Sequence, residues 1–572
     1  MRGSRASMAA WGVIPRGRSP KNMMMVLNWY CAGVGGGGEW LLVALMTLNN
    51  VSDDIEIDIT CTTAEMLIKK TRSSLSRQAS TCANNIAPFI RATSDAAGNL
   101  GYFTVLYTWF GLLFAGTVSD NKYFSAFNIK ANFRELVSPK ASKMTIVDYI
   151  RVMAILWVMV NHLGSEGRID ILERAPSAKA FKNAIHDHTF FGPVFGNSAL
   201  GVEVFLVLSG LLAARSWSRV ATTESGSFRS KYFGFLLKRA FRLFPSVAVF
   251  IYFAQSSLSS TYLPRFHDTM LSSCGVKGLA SHLTFTSNLQ STPTCLGYLW
   301  YLGLDFQLYA LSPLLMMALM YNAKFGIFIV SACVTISMVL RGVMCRAYGI
   351  CNNSDVDIPF ISFPNQTESD LEAMYGGIWD MYSRPQTKCG PYFIGVFVGW
   401  LTTVISTTPK LSEKTLKVVN YAAIAGALFC VFGILPEYWN PHAGDTLYNT
   451  FYTAIFRTLF GACVSWLIMY CTYWHNAQFS IVFNVLATIT FQAYLLHMPV
   501  VYLFNHVPYL QTATGPWEVL TMLPFVAILS YFAAFLMYLL VEAPMAKVAT
   551  YVYQVIKQNY LSTDAPVAKK IN

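Results

Sequence analysis

In the apolar run DYIRVMAILWVMVNHLG, residues 148–164, Arg151 and His162 stand eleven positions apart. Eleven residues of α-helix turn through about 1100°, roughly 20° past three full turns, and rise about 16 Å. One face therefore carries a guanidinium near one end and an imidazole near the other. A guanidinium grips phosphate, and an imidazole titrates near neutrality and can take a proton from a hydroxyl. Each has a plainer reading: Arg151 as a cation snorkelling to a membrane surface, His162 as a polar group bonded to the next helix.

The following run, GNSALGVEVFLVLSGLLAARSW, puts Glu203 twelve residues before Arg215, about 18 Å along a helix. That depth matches His162 on the preceding antiparallel segment, where a carboxylate would orient the ring and stabilise its charged form. The plainer reading is a glutamate reaching water at the far surface. Ser209 and Gly210 read as a close-packing site rather than a nucleophile. In KRAFRLFP, residues 238–245, Lys238, Arg239 and Arg242 are clustered, and Arg239 and Arg242, three apart, share a helix face able to hold one polyanion. Alone, this is also an ordinary charge cluster at a membrane border. LWYLGLDFQLYALSP sets Asp305, Gln307 and Tyr309 among aromatics ahead of Pro313; FQAYLLHMPV places His497 in another apolar run, and VEAPMAK places Glu542 at a border. His497 is either a second cavity residue or a packed, hydrogen-bonded histidine.

These residues need a membrane to position them. Of 572 residues, 54% are hydrophobic and 13% charged, against about 25% charged in soluble domains. The net charge of +12 lies mostly in short loops between apolar runs, where the positive-inside rule puts it, so a nucleic-acid partner is not expected. Runs long enough to span fall at 101–118, 146–164, 197–214, 241–258, 297–320, 325–343, 391–408, 417–435, 450–473, 481–504 and 518–541. The loop from Arg215 to Arg242 holds seven basic residues against Glu224, which makes it cytosolic. Alternation then puts 119–145, the loop around Lys410, Lys414 and Lys417, and the C-terminal tail in the cytosol. The sequons at Asn50, Asn352 and Asn365 and the loop cysteines Cys274, Cys295, Cys345, Cys351 and Cys389 fall on the opposite side, where disulfides are permitted, with their pairing left open.

Residues 1–46 read as a signal peptide, a signal anchor or a wrongly placed start, and 47–100 as a small exterior segment with Cys61 and Cys82. The division continues as an upstream span at 101–118, a linker at 119–145, a membrane domain at 146–545 and a tail at 546–572. The ending VAKKIN resembles a dilysine retrieval signal of the endoplasmic reticulum, or is a basic tail near anionic lipid.

The order Arg, ten residues, His, then GVEVFLVLSGLL, KRAFRLFP, WYLGLDFQLYALSP and YLLHMPV resembles the membrane acyltransferase-3 family over roughly 145–545. The upstream span and cysteine-bearing exterior segment resemble its animal nose-resistant-to-fluoxetine branch, although the cysteine-rich domain looks shortened in this chain. The resemblance implies an all-α polytopic transmembrane helical bundle, a ten-helix core plus one upstream span. It implies O-acylation of a lipid, glycan or other extracytosolic acceptor, with cytosolic acyl-CoA as co-substrate and membrane lipids as surroundings. The family's arginine and histidine fall on Arg151 and His162, its basic pair on Arg239 and Arg242, and its acid on Glu203, where many members have aspartate. The mechanism expected is that Arg151, Arg239 and Arg242, helped by Lys238, hold the CoA phosphates. His162, oriented by Glu203 or Asp305, deprotonates the acceptor, and Ser209, Tyr309 and His497 line the cavity. No metal is expected; His186 and His188 read as solvated surface. The location implied is multi-pass, in the endoplasmic reticulum or plasma membrane, with a cytosolic C-terminus. The competing reading is a transporter or lipid-handling protein using the same polar groups as a translocation path, which inverted repeats of broken helices would favour and which the sequence does not display.

Overall fold

The computed structural model describes residues 107–556 except 120–121, 139–143, 166–186, 188, 225, 272–273, 292–294, 352–376, 440–445, 476–477, 506 and 512–515. The chain divides into Met1–Phe110 and Gly111–Asn572, and the helical bundle belongs to the second unit. The exterior segment 47–100, the three sequons, His186, His188 and the dilysine tail lie outside the described residues. Of the upstream span, the described part is the apolar helix Tyr107–Val118.

The described elements are all helical, with no strand among them. The principal ones are α1 (Ile129–Val137), α2 (Ile146–Ser165), α3 (Leu200–Thr223), α4 (Phe228–Gln255), α5 (Trp300–Tyr321), α6 (Ala323–Ala347), α7 (Pro385–Val404), α8 (Glu413–Phe432), α9 (Leu447–Tyr473), α10 (Ile481–Thr488), α11 (Thr490–Asn505), α12 (Pro516–Met537) and α13 (Ala543–Ile556). Among the described residues seven helices are long and apolar enough to cross a membrane, and the bent pair α10–α11 makes an eighth. The protein is thus an all-α polytopic bundle. The two further spans expected from sequence correspond to α4 and α7, helices of 28 and 20 residues that carry basic side chains inside them. Ser227, Asn322, Ser412 and Thr446 each accept from the N–H three residues on, and so fix the starts of α4, α6, α8 and α9.

Two corrections concern elements that carry candidate residues. The helix expected at 241–258 begins at Phe228, so KRAFRLFP lies inside a helix and not at its start. The span expected at 481–504 is broken by a 68° bend. The hydroxyls of Thr488 and Thr490 return to the carbonyls of Asn484 and Leu486 at 2.8 and 2.9 Å, a pattern that bends helices.

The centre of the bundle is α3 packed against α7. Glu203 meets Lys388, Val207 meets Gly395 and Leu211 meets Gly399, so the two helices run parallel. Glycine permits this: a Cβ on Gly399 would stand 2.5 Å from the Leu211 carbonyl oxygen. Gly399→Val should therefore lower the thermal unfolding midpoint of the detergent-solubilised protein, with a cost of about 1–3 kcal/mol from overpacking. Gly275→Ala, with open space around its Cβ, should leave that midpoint unchanged. Two loops on the side assigned as exterior are closed by Cys274–Cys295 and Cys345–Cys351, and Cys389 is a buried thiol.

Candidate active site

The register of α2 on α3 is set low in the bundle by Gly201, whose missing side chain admits the Ala154 carbonyl and Val158, and higher up by Asn161, which donates to Ser198 Oγ at 3.0 Å. His162 is therefore level with Ser198. Glu203 is five residues further on, toward the Arg151 end of α2, about 7 Å along the helix. It serves a different purpose from the one expected. Its Oε1 accepts from Lys388 Nζ of α7 and from Arg457 Nη1 of α9, the latter at 2.9 Å, and all three side chains are buried. Lys388 lies 4.0 Å above the Tyr382 ring and Arg457 4.9 Å from that of Phe456. The expected pairing of Glu203 with His162 is thus replaced by an ion cluster tying α3, α7 and α9.

Asp305, the other expected orienting acid, is also engaged. It pairs with Arg239 and accepts from the Ser209 hydroxyl, while Arg239 donates to Ser209 Oγ at 3.0 Å. The guanidinium lies 4.2 Å over the Tyr309 ring, which stacks on Phe235. The Arg239 side chain is only 22% exposed, and a cation so enclosed requires a counter-charge. Pro313 leaves the Tyr309 carbonyl without its helical donor, and Ser312 Oγ supplies one at 2.8 Å. Arg239, Asp305, Ser209 and Tyr309 thus form one cluster. Gln307 lies outside it, exchanging amide hydrogen bonds with Asn288 at 2.8 and 3.1 Å.

His162 faces His497 instead, with ring centres 5.2 Å apart. The Tyr298 ring stands edge-on to His497 at 5.7 Å, and Tyr494 donates to the Tyr298 carbonyl at 2.7 Å. Tyr301 follows one turn along α5, 5.9 Å from Tyr494, and lies within electrostatic reach of Asp305 and Arg239. Arg151 lies within reach of both Tyr301 and Arg242, and its Nη1 donates to the Ala487 carbonyl at 3.4 Å, beside the break after α10. Lys238 departs from this group, with Nζ 5.9 Å from the Tyr553 ring of α13. Tyr301, Tyr494, His497 and His162 are joined by ring contacts, and with Arg151 and Arg242 toward Tyr301 they make a polar seam across α4, α2, α5 and α11. Arg151, Tyr301, Tyr494 and His162 keep accessible surface although they point into the bundle, and Arg242 is exposed.

Motif spacing does not single out Lys388, Arg457 or the tyrosines at 298, 301 and 494. A lone arginine inside YTAIFRTLF is a sufficient signal for Arg457, because an intramembrane cation needs a partner. Lys388 is hidden in the sequence because hydropathy assigns it to a loop. Among the described residues no three His, Cys, Asp or Glu side chains gather to hold a metal ion.

Residues 144–539 match the family model described as Acyltransferase domain, Acyl_transf_3. The chain is 48% identical over 441 residues to the Caenorhabditis elegans protein named Regulator of hypoxia-inducible factor 1, covering 77% of this chain and 87% of that one. It is 24% identical over 418 residues to Nose resistant to fluoxetine protein 6 of the same organism, covering 67% of this chain and 48% of that one. No solved structure matches.

Proposed function

The chain belongs to the acyltransferase-3 family of membrane proteins, and on that premise we propose that it transfers an acyl group from cytosolic acyl-CoA to a hydroxyl of a lipid, glycan or other extracytosolic acceptor. The observation that carries the reading is the seam itself. At one end stand two arginines, Arg242 exposed and Arg151 on the Ala487 carbonyl, at the other an imidazole, and between them accessible tyrosines. Arg242 and Arg151 hold the phosphates. The acylated pantetheine arm extends past Tyr301, spanning the roughly 16 Å that separates Arg151 from His162. His162 takes the proton of the acceptor hydroxyl, and the oxygen attacks the thioester carbonyl. The carbon–sulfur bond breaks and the thiolate takes the proton, releasing CoA. Arg239, neutralised by Asp305, holds α3, α4 and α5 together around the arm rather than binding the donor directly.

Purified protein supplied with acyl-CoA and a membrane-lipid extract as acceptor should release free thiol and yield an acylated acceptor. The broken span α10–α11 is also what a translocation path would use; a protein that moves substrate across vesicles but releases no thiol would favour that reading. Within the proposal, Arg242→Ala should raise KM for acyl-CoA about tenfold, the loss of one charge-assisted contact worth about 1.4 kcal/mol, with little change in kcat. Lys238→Ala, whose ammonium faces Tyr553, should leave KM unchanged.

A further inference from the structure

We infer that His497 is a positioning residue for His162: a neutral imidazole whose Nε2 accepts a hydrogen bond from the charged His162 ring, as a carboxylate commonly does for a histidine base. The inference rests on the reading of His162 as base.

The sequence YLLHMPV explains the placement. Pro499 has no N–H, so the Leu495 carbonyl four residues earlier loses its helical donor. The Tyr298 hydroxyl takes that carbonyl at 2.8 Å, and the Tyr494 hydroxyl donates back to the Tyr298 carbonyl at 2.7 Å. These two reciprocal bonds lock this turn of α11 to the turn that opens α5, and His497 sits between them.

His497 is fully buried. Its Nδ1 lies 2.7 Å from the Tyr494 carbonyl oxygen. A carbonyl only accepts, so Nδ1 carries the proton, and in the neutral ring Nε2 is left as a lone-pair acceptor. That atom is buried and has no hydrogen-bond partner among the described residues. A second imidazolium 5.2 Å from His162 would repel the charge that His162 acquires, whereas a neutral acceptor stabilises it. Glu203 and Asp305 are both committed to basic partners, and the His497 ring faces that of His162. In the reaction His497 binds no additional proton: the acceptor proton goes to His162 and then to the departing thiolate, while Nε2 accepts from the transient imidazolium.

The test uses purified full-length protein with acetyl-CoA as probe and thiol release as readout. His497→Phe keeps a ring but removes the acceptor, and kcat should fall about 100-fold with KM for acetyl-CoA unchanged. His497→Gln restores an acceptor oxygen and should recover kcat to within about tenfold of wild type. If His497→Phe misfolds, His497→Met against His497→Gln makes the same comparison. Wild-type kcat in a folded His497→Phe or His497→Met protein, or a Gln variant no better than those, overturns the inference. If His162→Ala is inactive in the same assay the base stands and only the positioning role falls; if His162→Ala turns over normally, both fall.

Discussion

His162→Ala should lose acyl transfer by about 100- to 10,000-fold, the usual contribution of a positioned general base, while remaining folded and membrane-inserted. The imidazole is half-buried at the end of α2, and alanine is a better helix former than histidine, so the change removes chemistry with little packing. Thiol release and acylated product measure the loss, and an unchanged unfolding midpoint excludes a structural cause. Donor binding should persist, because Arg151 and Arg242 lie about 16 Å or more away along the seam.

Glu203→Ala should have an effect of similar size and different kind. Removing this carboxylate leaves Lys388 and Arg457, 1% and 6% exposed at the side chain, without their shared counter-charge. Breaking a buried ion pair from one side costs about 3–5 kcal/mol, a large fraction of a typical fold's margin. The variant should aggregate on extraction, seen as loss of the monodisperse peak in size-exclusion chromatography. Lys388→Met should be milder, since Glu203 keeps Arg457. A Glu203→Ala protein that is stable as wild type but inactive would return Glu203 to the catalytic group and contradict its role as the anchor of the ion cluster.

The spans and their order are legible because apolar length and loop charge are one-dimensional signals. Arg151 and His162 fall on one face because the period of a helix places them there whatever surrounds it. Partnerships are not legible. The depth of Glu203 can be reckoned from Arg215, but the close approach at Gly201 and the Asn161–Ser198 bond set the register one to two turns away from that value. Arg239 and Arg242, adjacent on a helical wheel, part company once Asp305 and Ser209 claim the first. Lys238 turns to α13, a helix far along the chain. Such choices depend on which helix lies alongside, and neither spacing nor composition encodes that.

The most direct test of the seam is a structure of the protein with a thioether analogue of acyl-CoA. The account predicts phosphate oxygens on Arg151 and Arg242 and the carbon equivalent to the thioester carbonyl beside the His162 imidazole, with the arm passing Tyr301. Phosphates bound elsewhere, or an acyl end that leaves the bundle before reaching His162, would contradict it.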